Sequence, residues 1–184
     1  GSVYFECRGV PRGLGAPRFD SFPARLGRLM FAVPATTAFQ FGAGRDARLM
    51  RGSERNEDWA FHDGEGPTVA DEGDPVPEGN DHGGLQGGIT TGEPIYGEAT
   101  WHAPTSIPKE QTTADWETDE QKDVQVVGRH DPVLMPRAVP VVEAVLWCTI
   151  LDFAMLDGRV NPDRIDDRPG EYDTEYHPSS PRNE

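Results

Sequence analysis

GRHDPVLMPRAVPVVEAVLWCTILDFAML, residues 128–156, carries both the clearest helix and the densest chemistry of the chain. From about Pro136 to Leu156 the residues are apolar almost all round, which predicts a helix covered on most sides. Pro140, Glu143, Thr149 and Asp152 interrupt the apolar run, so a buried helix explains it better than a membrane span. Just before it, GRHDP (128–132) sets a guanidinium, an imidazole and a carboxylate at three consecutive positions. In extended backbone Arg129 and Asp131 fall on the same side. Arg129 can then grip a phosphate or carboxylate through two hydrogen bonds, while Asp131 accepts or relays a proton. The alternative at the same residues is a mutually satisfied Arg129–Asp131 pair in a turn.

Working outward, VQVVG (124–128) reads as a short strand and the polar, acidic residues 109–123 as a loop. IYGEATW (95–101) is strand-like. Near the start, residues 3–10 carry alternating β-branched and aromatic side chains and predict another strand. The turn-dense RGVPRGLGAPRFD (8–20) follows. Asp20 or Ser21 can cap a helix with Phe22, Leu26, Leu29, Met30 and Val33 at helical spacing, ending before Pro34 and packing one face on a sheet. AFQFGAG (38–44) is a further short strand, and RLMRGSERNEDW (48–59) is irregular and polar. Residues 62–81 hold no Lys or Arg and read as a solvated surface loop. Beyond Gly158 seven acidic and four basic residues show almost no apolar periodicity. These features divide the chain into one domain, 1–157, and a mobile acidic tail, 158–184.

Five glycines fall within GGLQGGITTG (83–92). Gly83, Gly84, Gly87 and Gly88 allow backbone to approach a ligand closely and turn N–H groups toward an anion. By themselves they equally well make a tight turn between strands. They match neither G-x-G-x-x-G nor the Walker A pattern. His62, His82, His102, His130 and His177 have no metal-ligand spacing, and no G-x-S-x-G elbow is present, so neither a metal site nor a serine triad is expected.

A chain of 184 residues suits one domain. Its net charge of −15 argues against nucleic acid or an anionic membrane as partner. Only Lys109 and Lys122 are lysines among 17 basic residues, against 32 Asp and Glu, a balance that suits a salt-rich cytoplasm. Cys7 and Cys148 form no CxxC pair and read as small apolar core residues in a reducing compartment. The N-terminal residues carry no secretory signal pattern.

In order, CRGVPRGLGAPRFD, FGAG, MRGSERNED, NDHGGLQGGITTGEPI, APTSIPKEQTT and GRHDPVLMPRAVPVVEA resemble the chorismate synthase family over residues 3–157. GRHDP followed by PRAVPVVEA is the most specific piece. The resemblance implies an α+β fold, a layered sandwich of antiparallel sheets around helices, of which this chain is the C-terminal half. It also implies a carbon–oxygen lyase of aromatic amino acid biosynthesis. The family converts 5-enolpyruvylshikimate 3-phosphate to chorismate by 1,4-anti elimination of phosphate and requires reduced FMN without net redox change.

By matching position, Arg129 is similar to the family arginine that contacts FMN and substrate, and Asp131 to the acid near flavin N5. Gly87 matches a glycine bordering FMN, and His102, Ala103, Pro104, Thr105 and Ser106 match a segment that wraps the flavin and its phosphate. Many relatives begin that segment with Lys-Pro-Thr, so His102 replaces a permanent positive charge, although a neutral imidazole still offers one donor. The family's N-terminal half, with its G-E-S-H start and two catalytic histidines, has no counterpart in these residues. The implied partners are therefore that half and, for the complete enzyme, a homotetramer. The alternative is a non-catalytic FMN-binding or interaction remnant of the same family.

Overall fold

The computed structural model describes residues 1–161. In chain order the elements are β1 (Ser2–Cys7), α1 (Phe22–Phe31), β2 (Thr36–Phe41), α2 (Gly52–Arg55), β3 (Trp59–Phe61) and β4 (Pro75–Pro77). They continue with β5 (Leu85–Gln86), β6 (Ile89–Thr90), β7 (Ile95–Trp101), β8 (Gln111–Asp115), β9 (Glu120–Val124) and α3 (Met135–Leu156).

Strand β7 alternates strictly, with Ile95, Gly97, Ala99 and Trp101 turned inward. It lies at the centre of an antiparallel sheet, β1–β7–β2, with Phe5 and Phe41 both opposite Gly97. Val3 and Phe5 add to the same buried face, and the ring of Phe5 stacks on Phe39 at 5.8 Å.

Helices α1 and α3 cover that face. Ser21 caps α1, its Oγ accepting the Ala24 N–H at 3.3 Å, and Pro23 suits the first turn. Phe22, Leu26 and Met30, four residues apart, form its buried stripe. Phe22 stacks on Phe153 of α3 at 5.3 Å, and the Arg25 guanidinium lies 4.7 Å from the same ring. Arg25 also pairs with Asp152 and, at 3.6 Å, with Asp20. The fold is α+β, with an antiparallel sheet layered against helices.

Several segments depart from the sequence reading. Helix α3 buries one side, through Ala138, Val142, Leu146, Thr149, Ile150, Phe153 and Ala154. Its other side is not covered: Val139, Trp147 and Leu151 are exposed, and so is Cys148, which is therefore not a core residue. By length and composition α3 is long and apolar enough to cross a membrane, but its buried side is part of the main core and its Asp152 is ion-paired. Residues 109–123 form the β8–β9 hairpin rather than a loop, whereas of VQVVG only Val124 is in a strand. Val126 and Val127 have no strand partner and stay exposed. From residue 162 the acidic tail lies outside the described residues. Just before that, Arg159 Nη2 donates to Arg12 O at 2.8 Å.

The acidic stretch 62–81 is anchored rather than freely solvated. It contributes β4 with buried Val76 and a buried His62. The missing cation comes from Arg12, whose Nε donates to Thr91 O at 2.8 Å and whose Nη1 donates to Asp74 at 3.3 Å, while Nη2 donates to Pro75 O. Arg12→Ala is expected to speed amide exchange in residues 71–75 about tenfold, because it removes three donors at once, and to leave β7 protected. Hydrogen–deuterium exchange checks this; unchanged rates in 71–75 would remove the anchoring role.

Candidate active site

The glycine-rich segment is a tight hairpin that two layers of backbone bonding fix to the rest of the fold. Gly87 and Gly88, both at positive φ (62° and 90°), make the two-residue turn between β5 and β6. Both sequence alternatives are compatible with this geometry, since the turn leaves Gly87 open. A Cβ placed there would meet nothing within 4 Å. Gly88 O accepts the Phe22 N–H at 2.9 Å, tying the turn to the start of α1. On the other flank, Gly42 N–H donates to Tyr96 O at 3.0 Å and Ala43 N–H to Asp81 O at 2.8 Å.

An open cleft of about 350 Å³ lies beside the turn, lined by Asn56, Glu57, Trp59, His82, Gln86 and Gly87 among others. Sequence reading assigned no role to Glu57, Trp59 or His82; only their juxtaposition with Gly87 in space singles them out. The Glu57 side chain is 5% exposed. It accepts the Asp81 N–H and, at 3.5 Å, a Gln86 amide hydrogen. Behind it, burial and the charges of Asp81, the neighbouring Tyr4 and Glu57 push the Tyr96 phenol up, while Arg55 opposes them.

Segment 102–106 and GRHDP meet where Ser106 Oγ and His130 Nδ1 lie 3.1 Å apart. His130 Nε2 is 3.2 Å from Val126 O. His102 Nδ1 donates to Ala103 O at 2.6 Å. That bond uses the only N–H of a neutral ring, so neutral His102 offers a ligand an acceptor at Nε2 and not the donor expected from sequence. Thr105 is exposed, and Pro104 is half-buried.

Arg129 and Asp131 are not paired with each other. Asp131 instead accepts two hydrogen bonds from Arg137, at 2.7 and 3.4 Å, from the first turn of α3. Arg129 is exposed, and no ion pair engages it among the described residues. The turn-pair alternative is therefore corrected: a third residue neutralises the acid and leaves the Arg129 guanidinium available. Arg129 and Thr105 are exposed and Gly87 keeps bare backbone, but no residue of 102–106 or 128–132 lines the cleft beside Gly87.

The chorismate synthase family model matches residues 1–155. Chorismate synthases of Halorubrum lacusprofundi and Halobacterium salinarum are each 75% identical over 100% of this chain and 47% of the relative. That of Methanosarcina acetivorans is 38% identical over 88% of this chain and 42% of the relative. A solved structure described as chorismate synthase superposes with a TM-score of 0.61 over 85% of this chain and 38% of its own, at 22% identity, a likeness of fold. The chain spans about half the length of the curated relatives it matches. Since the match runs from β1 through all but the end of α3, the chain belongs to the chorismate synthase family.

Proposed function

We propose that the chain forms one wall of a chorismate synthase active site, which eliminates phosphate from 5-enolpyruvylshikimate 3-phosphate in the cytoplasm. The other wall comes from the N-terminal half of the family's sequence. The observation that carries this reading is the Ser106–His130 contact, which joins segment 102–106 to GRHDP, the two segments that the family resemblance assigns to the flavin, in a chain matched along nearly all its described length.

Reduced FMN, when bound, supplies electron density to the carbon–oxygen bond that breaks. Arg129 holds the anionic flavin or substrate by paired N–H donors. Asp131 holds or moves the departing proton, with Arg137 orienting its carboxylate. Gly87 borders the flavin with bare backbone, and Thr105 and Ser106 lie along its phosphate. The exposed side of α3, with Val139, Trp147 and Leu151, is the surface the N-terminal half covers, and tetramer assembly follows once it is covered.

The test is phosphate release with reduced FMN, measured for the chain alone and co-expressed with the N-terminal half of a haloarchaeal relative. Turnover is expected only from the pair. Strong turnover by the chain alone would overturn the shared site, and a folded but inactive pair would overturn the activity.

A further inference from the structure

Glu57 is the least expected group near the cleft. A carboxylate that is 5% exposed is costly to desolvate unless donors surround it. Its two hydrogen-bond partners sit at opposite ends of one turn: the Asp81 N–H and the Gln86 side-chain amide. Between them lie His82 and the glycine pair, and immediately beyond lies Gly87. One buried carboxylate thus clamps both ends of the segment that presents the open glycine.

A histidine and an arginine stand close without bonding to it. His82 Nε2 is 3.9 Å from Glu57 Oε2, and Arg55 Nη1 is 4.0 Å from Oε1. Arg55 Nη1 is buried with no hydrogen-bond partner. His82 lines the cleft, and its Nδ1 makes no hydrogen bond among the described residues. The half-exposed indole of Trp59 and the amides of Asn56 and Gln86 line the same cleft. An aromatic face, bare glycine backbone and edge amides suit a planar heteroaromatic ring. A phosphate would call for an arginine or lysine lining the cleft, and Arg55 does not line it.

We propose that Glu57 is a positioning residue for the flavin ring: it sets the 81–86 turn so that His82 and Gly87 meet a ring held in the cleft that Trp59 also lines. This rests on the flavin reading of the preceding section. Glu57 touches no reacting atom and acts through the turn.

The experiment titrates FMN and riboflavin into the chain co-expressed with an N-terminal half, following flavin fluorescence, for wild type, Glu57→Gln and His82→Gln. Glutamine keeps an acceptor for Asp81 but turns a donor toward Gln86 and His82. Glu57→Gln is expected to raise Kd roughly tenfold for both flavins, with kcat at saturating FMN within about twofold of wild type. Wild-type affinity in a folded Glu57→Gln protein would overturn the proposal alone, as would weakening of FMN with riboflavin unaffected. A wild-type assembly that binds neither flavin would overturn the flavin reading and this proposal with it. Should Glu57→Gln fail to fold, His82→Gln carries the test: a several-fold rise in Kd supports the role, and an unchanged Kd overturns it.

Discussion

Asp131→Asn, in the chain assembled with an N-terminal half, is expected to lower kcat by about 10²–10⁴-fold, the range typical of a lost acid–base group. The fold should survive, because the side chain is partly exposed and an amide can still accept from Arg137. The Arg137 contact makes the comparison sharp. If Asp131 served only to pin the start of α3, Arg137→Met, which removes the contact outright, would be at least as damaging as Asp131→Asn, which keeps one acceptor. If Asp131 handles a proton, Arg137→Met should cost much less in kcat than Asp131→Asn. An equal or greater loss of kcat in Arg137→Met would leave Asp131 a structural residue.

The second large effect lies where backbone crosses backbone. Gly42, just after β2, has φ +53°, and a Cβ there would stand 2.1 Å from Asp81 O and 2.6 Å from Gly83 N. Neither neighbour is a flexible side chain that can swing away, and Asp81 O already accepts the Ala43 N–H. Gly42→Ala is expected to destabilise the protein by at least about 3 kcal/mol, from left-handed strain and displacement of the turn together. Urea unfolding in concentrated salt measures it. Gly87→Ala is the internal comparison: its φ is similar, but the space around it is open, so a loss of only about 1 kcal/mol is expected. A Gly42→Ala protein no less stable than Gly87→Ala would show that the crossing relaxes.

How much of this was legible in the sequence varies with the physics behind each element. Helix α1 was, because Ser21, Phe22, Leu26 and Met30 carry a cap and a period, both local signals. Strand β7 was legible through its alternation. The β8–β9 hairpin was not: its residues, from Gln111 to Asp115 and Glu120 to Val124, are polar on both faces, and pairing along the backbone leaves no periodic trace. VQVV misled for the opposite reason, having strand-forming side chains but no neighbouring strand. The near-uniform apolarity of α3 gave the helix but not which side would stay uncovered. In the candidate site, the chemical types at Arg129 and Asp131 were readable, whereas the Asp131–Arg137 pair spans a turn into a helix. Glu57 was hidden because its partners lie 24 and 29 residues away.

The contact between Ser106 and His130 closes residues 107–129 into an excursion whose ends meet. The hairpin within it packs mainly on itself. Lengthening such a closed loop is thermodynamically mild, since doubling its length adds only about 0.6 kcal/mol of closure entropy. That makes the excursion the natural place for homologues to differ in length, and for an engineer to splice in a reporter while the flanking chemistry stays in register.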